Sequence, residues 1–150
     1  MLLIPAGEFL MGSGPQQDEH AEATEQPQHR LYMPDYYLAQ TPVTHAQYDA
    51  FLQATGGEAL EGWDWVFHMP PRGRENHPVV NVSWYEAIAY CQWLAEVTGN
   101  RYGLHSEAEW EKGARGTEGR IYPWGHLWDA TRCNTAVNGL KFVSVQGVMR

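Results

Sequence analysis

The stretch that decides the fold runs His77-Pro-Val-Val-Asn-Val-Ser-Trp84 and continues as Tyr85-Glu-Ala-Ile-Ala-Tyr-Cys-Gln-Trp-Leu94. Ser83 and Glu86 have the spacing of a capping box, in which the hydroxyl and the carboxylate satisfy each other's backbone N–H groups. Apolar side chains then recur on one helical face: Ala87, Ile88, Cys91 and Leu94. The stretch therefore predicts a helix over residues 84–98.

Two further capping boxes mark two further helices. Thr44-His-Ala-Gln47 precedes an apolar stripe, and the glycines at 56 and 57 follow it, which predicts a helix to about Thr55. The expected buried stripe of this helix comprises Tyr48, Phe51 and Leu52. Ser106-Glu-Ala-Glu109 predicts a third helix, from Glu107 to about Arg115.

The remaining sequence predicts short strands and long loops. Residues 1–13 and 31–43 favour strands, whereas residues 14–30 are acidic and offer no apolar anchor, which indicates a solvated loop. Residues 58–82 are rich in Trp and Pro and predict an ordered loop, pinned by Trp63, Trp65 and Phe67. The expected class is α+β, loop-rich, with no internal repeat.

Composition narrows the possible partners and compartment. The 150 residues suit a single domain, and a net charge of −8 argues against nucleic-acid or anionic-membrane partners. Pro5 stops the apolar run at the start of the chain, so we expect neither a signal peptide nor a membrane span. The two cysteines, Cys91 and Cys133, fit a reduced cytoplasmic protein.

Individual residues give weak signals for catalysis. None of the seven histidines has a partner at HxxxH spacing, which argues against a histidine metal site. The acids Glu107, Glu109 and Glu111 suit a helix cap and dipole better than a catalytic acid. Cys91 lies on an apolar helix stripe and is expected in the core, whereas Cys133 lies in a loop and is more open to reaction.

Oxygen-bearing side chains near residue 134 suit a calcium site. Calcium prefers carboxylate, amide and carbonyl oxygens, and this segment supplies Asp129, Asn134, Thr135 and Asn138. Such turns are also common without calcium, so the composition of the segment leaves both possibilities open.

Several blocks in order resemble the formylglycine-generating enzyme (sulfatase-modifying factor) family. They are residues 1–13, Thr41–Tyr48, His77–Leu94, Leu104–Gly116, Tyr122-Pro-Trp-Gly125 and Cys133-Asn-Thr135. The fourth block is similar to the family's LPTEAEWE motif, although Gly103 and His105 replace the usual Arg and Pro. At His45 the family usually has Asn. The resemblance covers about residues 1–136.

The resemblance implies a C-type-lectin-like fold of the formylglycine-generating type. Known members oxidise a sulfatase cysteine to formylglycine, using oxygen and a copper ion held by two cysteines, and members also bind structural calcium. By resemblance, Asn134 and the Thr135 carbonyl belong to one such calcium site. A protein or peptide ligand is the expected partner.

The family's copper-binding cysteines follow a GNVWEW block that has no counterpart in these 150 residues. Cys91 and Cys133 do not occupy the copper positions, so the resemblance assigns no catalytic residue and implies a chain that is inactive alone. The expected organisation is one incomplete domain over residues 1–150, truncated on its C-terminal side.

Two alternatives stay open beside the oxidase family member. One is a non-enzymatic lectin-like binding or effector module that recognises a peptide or protein. The weaker one is a fragment of a sulfoxide synthase, a class whose three-histidine iron site lies partly on an N-terminal helical bundle. An incomplete fold is also expected to be marginally stable, with exposed apolar surface at Trp84, Trp110 or Trp124 that favours self-association.

Overall fold

A computed structural model describes residues 1–57 and 72–133 of the chain. Its helices are α1, His45–Thr55; α2, Trp84–Thr98; and α3, Glu107–Arg115. All three begin at complete capping boxes, whose N-cap residues are Thr44, Ser83 and Ser106. The three predicted helices are therefore confirmed, ends included.

Four short strands form two separate antiparallel pairs. They are β1, Leu2–Ile4; β2, Gly7–Met11; β3, His29–Met33; and β4, Tyr36–Leu38. β1 pairs with β4, and β2 pairs with β3 in a register that joins Gly7 to Met33 and Met11 to His29. Few helices and short strands give the α+β class that the sequence predicts.

The boundary of the acidic loop differs from the prediction. His29 and Arg30 belong to β3, although the composition placed them in the solvated loop over 14–30. Both side chains are exposed. Backbone pairing with β2 orders them without burial, and composition carries no signal for that pairing.

The chain divides into two compact units, which are described separately. The strand unit comprises Met1–Gln40 and the described residues from His105 onward, and it holds both strand pairs and α3. The helix-pair unit comprises the described residues within Thr41–Leu104, and it holds α1 and α2.

An aromatic cluster forms the core of the helix-pair unit. The predicted α1 stripe of Tyr48, Phe51 and Leu52 is buried and packs against Tyr90 of α2. The ring centroids of Tyr48 and Tyr90 lie 5.8 Å apart in a stacked arrangement. The predicted α2 stripe is wrong in part: Leu94 packs against the cluster, but the other α2 side chains that do so are Ala89, Tyr90 and Trp93. Ala87, Ile88 and Cys91 are half-buried.

Two charged side chains of α3 and the backbone of Thr117 form hydrogen bonds with β2 and the residues beside it in the strand unit. Glu111 Oε1 accepts the Gly12 N–H at 2.7 Å, and the Thr117 carbonyl accepts the Leu10 N–H at 3.3 Å. Lys112 Nζ donates to the carbonyls of Pro5 and Gly7, at 2.7 and 3.0 Å. These bonds satisfy backbone groups that a free strand edge leaves exposed.

Candidate functional site

The acids of α3 divide into capping residues and one buried ion pair. Glu109 completes the capping box with Ser106, as predicted, and Glu107 lies exposed in the first turn. Glu111 instead points into the strand unit and contacts Arg115 Nη1 at 2.8 Å. Because its Oε1 also accepts the Gly12 N–H, Glu111 holds α3 and β2 together, a role that helix-dipole reasoning missed.

The buried lysine beside this pair is also fully engaged. Lys112 is only 3 % exposed, and its ammonium donates to the two carbonyls of the β1–β2 turn region. Such charge-assisted hydrogen bonds to carbonyl oxygens hold the ammonium group in place. We therefore assign Glu111, Lys112 and Arg115 to the architecture of the strand unit.

The two cysteines differ in environment. Cys91 is half-buried on α2, and burial raises the pKa of its thiol. The Cys133 thiol donates to the Asp129 carbonyl oxygen at 3.8 Å. Copper and nucleophilic chemistry both require a thiolate, which a low pKa favours. Cys91 is thus only half-buried and is not among the residues that pack against the aromatic cluster, whereas the sequence predicted it in the core.

His45 is a buried histidine whose burial the sequence did not predict. It is 1 % exposed at the first position of α1, and its backbone N–H donates to the His77 carbonyl at 2.9 Å. Burial, followed by the nearby His77 and Arg74, lowers the pKa of its imidazole. Among residues 1–57 and 72–133, no cluster of three or more His, Cys, Asp or Glu has a geometry that could hold a metal ion.

The proposed calcium ligands fall mostly beyond the described chain. Asn134, Thr135 and Asn138 lie outside the described residues, as do Trp63, Trp65 and Phe67 of the predicted loop. Asp129 is described, and its carboxylate accepts bonds from the Thr131 backbone and hydroxyl and contacts Arg132 Nε at 3.2 Å. These contacts lower the pKa of Asp129, so the carboxylate is anionic. Its oxygens are bound by Thr131 and Arg132.

A shallow aromatic groove occupies the last part of the strand unit. The rings of Tyr122 and Trp124 stack with centroids 5.4 Å apart, and Trp128 meets Tyr122 edge to face at 5.3 Å. The groove has a volume of about 400 Å³. Its lining residues are Trp124, His126, Leu127, Trp128, Asp129 and Arg132. The sequence predicted exposed apolar surface at Trp124, which is half-buried, but not this cluster of rings, although three aromatics within seven residues were a visible signal.

Comparison with known proteins identifies the family to which this chain belongs. The chain matches the profile of the sulfatase-modifying factor enzyme 1-like domain over residues 1–146 and belongs to that family. It is 33 % identical over 165 residues to the formylglycine-generating enzyme of Thermomonospora curvata, covering 84 % of this chain and 52 % of that enzyme. The enzyme of the same name from Streptomyces coelicolor is 33 % identical over 81 % of this chain and 49 % of its own length.

Another relative is named for a different activity. A stretch of the serine/threonine-protein kinase Pkn1 of Chlamydia trachomatis is 34 % identical over 89 % of this chain, and that stretch is 22 % of the kinase. The chain therefore spans about half or less of the curated relatives it matches.

A solved structure supports the fold. PvdO from Pseudomonas aeruginosa superposes with a TM-score of 0.73 and 28 % identity, over 95 % of this chain and 60 % of the PvdO chain. The predicted resemblance to the formylglycine-generating family is thus confirmed. Within the described residues, no helix is long and apolar enough to cross a lipid bilayer.

Proposed function

We propose that this chain of the formylglycine-generating family does not itself oxidise cysteine, and that it acts through binding a protein or peptide. The proposal that the chain does not oxidise cysteine rests on the number and position of its own cysteines. The sequence contains two cysteines, Cys91 is half-buried on α2, and by the family resemblance neither Cys91 nor Cys133 occupies a copper position. The residues described do not fit the copper site of the family, so we derive no step through copper.

The binding role rests on two observations. The groove of Trp124 and Trp128 presents large aromatic side chains, the residue types that dominate recognition surfaces. In addition, the stretch similar to this chain forms only 22 % of a protein named as a kinase, which supports a module that serves a larger protein. A sulfoxide-synthase fragment has no comparable observation in its favour.

Three further features complete the proposal. The finer fold is C-type-lectin-like, the compartment is the cytoplasm, and calcium binds at Asn134 and the Thr135 carbonyl. The family resemblance supports the fold and the calcium site, and the cysteine content supports a reducing compartment. Isothermal titration with calcium tests the metal, and Asn134→Ala is expected to abolish any heat of binding that the wild-type chain shows.

An oxidation assay tests the absence of cysteine-oxidising activity. The chain and the formylglycine-generating enzyme of Streptomyces coelicolor are incubated in parallel with copper, oxygen and a cysteine peptide of the sulfatase type. We expect aldehyde product, detected by mass spectrometry, from the relative only. Aldehyde formed by this chain, and lost in its Cys91→Ser or Cys133→Ser variant, contradicts the proposal.

A further inference from the structure

A short segment ahead of α2 completes the N-terminus of α1 in the helix-pair unit. The first N–H groups of a helix have no acceptor within the helix itself. In α1 the His45 N–H donates to the His77 carbonyl and the Ala46 N–H donates to the Glu75 carbonyl, both at 2.9 Å. Residues 74–79, which supply these carbonyls, are called the strap below.

The strap also covers part of the aromatic cluster between α1 and α2. The Val79 N–H donates to the Val43 carbonyl at 2.9 Å, and the Val79 side chain packs against the cluster. Thr44, the N-cap of α1, forms a further backbone bridge with Pro78. Release of the strap from α1 would therefore free the first N–H groups of the helix and uncover apolar surface of the cluster.

His45 is buried at the point where the strap meets α1. The residue is 1 % exposed, so a charge on its imidazole would have little contact with water. The N-terminus of a helix carries a partial positive charge, which opposes a second positive charge beside it. Two bases of the strap, His77 and Arg74, act in the same direction as burial and lower the pKa of His45.

The acids on the strap, α1 and α2 are engaged with other groups. Glu75 of the strap accepts the Gly73 N–H at 3.0 Å, and Asp49 of α1 accepts the Gln53 amide at 2.7 Å. Glu86 of α2 accepts the backbone N–H of its own N-cap residue at 2.7 Å. The strap thus brings two basic groups to His45, while its one acid is held by the strap's own backbone.

We propose that residues 74–79 form a proton-sensitive strap, which leaves the N-terminus of α1 when His45 takes up a proton. With the strap in place the imidazole stays neutral, because its pKa is lowered there. Once the strap is released, water reaches the imidazole and its pKa returns toward the ordinary value of 6.5. The released form therefore binds the proton more tightly, and acid favours release.

The sign and size of the effect follow from this difference in proton affinity. The closed strap is fully favoured above pH 6.5 and loses that advantage as the pH falls below it. If the closed form stays neutral, the equilibrium constant for release rises about tenfold between about pH 7.5 and pH 5.5. The remainder of the helix-pair unit stays folded in this process, which distinguishes release of the strap from unfolding of the chain.

Amide hydrogen exchange of the wild-type chain, followed by NMR at the two pH values, tests the proposal. Protection factors are compared, because they remove the intrinsic pH dependence of exchange. We expect the amides of His45, Ala46 and Val79 to lose about tenfold in protection at the lower pH, whereas the amides in the middle of α2 keep theirs. Unchanged protection of the three strap-bound amides overturns the proposal, and so does an equal loss throughout α2.

Two histidine variants then identify the group that senses the proton. His45→Asn removes the buried imidazole, so protection of Ala46 and Val79 should become equal at the two pH values. His77→Asn removes an exposed imidazole of the strap itself and is the matched control, which should keep most of the pH dependence because His45 remains. A dependence that persists in His45→Asn, or that His77→Asn abolishes, overturns the proposal.

The wild-type exchange measurement decides the proposal by itself if His45→Asn folds poorly. The inference is also independent of the proposed function. Exchange is measured without copper, a cysteine peptide or a binding partner, so failure of one proposal leaves the other standing.

Discussion

Glu111 shows how a residue in an acidic run acquires a structural role that its neighbours lack. It lies four positions before Arg115 on α3, so the two side chains share one face of the helix and pair at 2.8 Å. Their side chains are 12 % and 14 % exposed, and water therefore screens the pair little. Sequence spacing alone did not distinguish it from the exposed Glu107.

Replacement of Glu111 by alanine should destabilise the chain strongly. The change leaves Arg115 buried without its partner and removes the acceptor of the Gly12 N–H, which together cost about 3 kcal/mol. Urea unfolding measures the difference, and Glu107→Ala is the control, with an expected change below about 1 kcal/mol. Equal losses in the two variants contradict the role given to Glu111.

Gly12 is a second position where one residue type is required. Its φ of +83° lies in the left-handed region, and a Cβ there meets the Glu25 carbonyl oxygen. We expect Gly12→Ala to lower the free energy of unfolding by at least about 1 kcal/mol, because both strain and the backbone clash oppose it. Gly14→Ala, which meets only the end of a flexible glutamine side chain, is the control. A melting temperature equally unaffected by both changes argues against this close approach.

His45 should make stability depend on pH. Its pKa is lowered in the folded chain by burial, then by His77 and Arg74, so the folded state keeps the imidazole neutral while the unfolded chain takes up a proton. Stability is therefore complete above the unfolded pKa of 6.5 and falls as the pH drops below it. The positive end of α1 acts in the same direction.

Thermal melts between about pH 7.5 and pH 5.5 test this dependence. We expect His45→Asn to lose less melting temperature over that interval than the wild type. His105→Asn, at an exposed position in the strand unit, should follow the wild type. Identical slopes for His45→Asn and the wild type would show that another group titrates.

At the scale of elements, the helices were predictable and the sheets were not. Each helix begins at a capping box and ends at a glycine, so residues within a few positions of each end determine its boundaries. Strand pairing depends on residues distant in sequence, such as Met11 and His29. The bonds from Glu111 and Lys112 to the β2 edge are equally distant in sequence, and no local pattern indicates them.

The candidate site was predictable to a lesser degree than the helices. The core position predicted for Cys91 from its place on an apolar stripe is met only in part, because Cys91 is half-buried. The sequence did not predict the burial of His45 or of Tyr90 on α2, because each depends on which residues pack against the helix. The ligands Asn134 and Thr135 came from family resemblance, and they stay a prediction.

The capping box of α2 gives a prediction at this scale. Ser83 accepts the Glu86 N–H, and Glu86 accepts the Ser83 N–H at 2.7 Å. Ser83→Ala should lower the free energy of unfolding by about 1 kcal/mol, whereas Ser83→Asp, which keeps an acceptor, should lower it much less. Chemical denaturation followed by circular dichroism distinguishes the two, and an equally mild effect of both rules out an energetic role for the cap.

At the scale of the whole molecule, the chain combines a recognisable family pattern with about half of a relative's length. The superposition covers 95 % of this chain and 60 % of the PvdO chain. A large part of the PvdO chain therefore has no counterpart in these 150 residues. Two of the tryptophans that the sequence predicted to be exposed, Trp84 and Trp110, are each 50 % exposed. Trp124, the third, is half-buried.

The central proposal is that this chain is a family member without a copper site of its own. Titration with copper(I) against a competing chelator, under reducing conditions, tests the claim most directly. We predict no stoichiometric complex, and the same weak signal from the wild type and the Cys91→Ser and Cys133→Ser variants. A tight complex with one copper ion per chain that either substitution abolishes would contradict it.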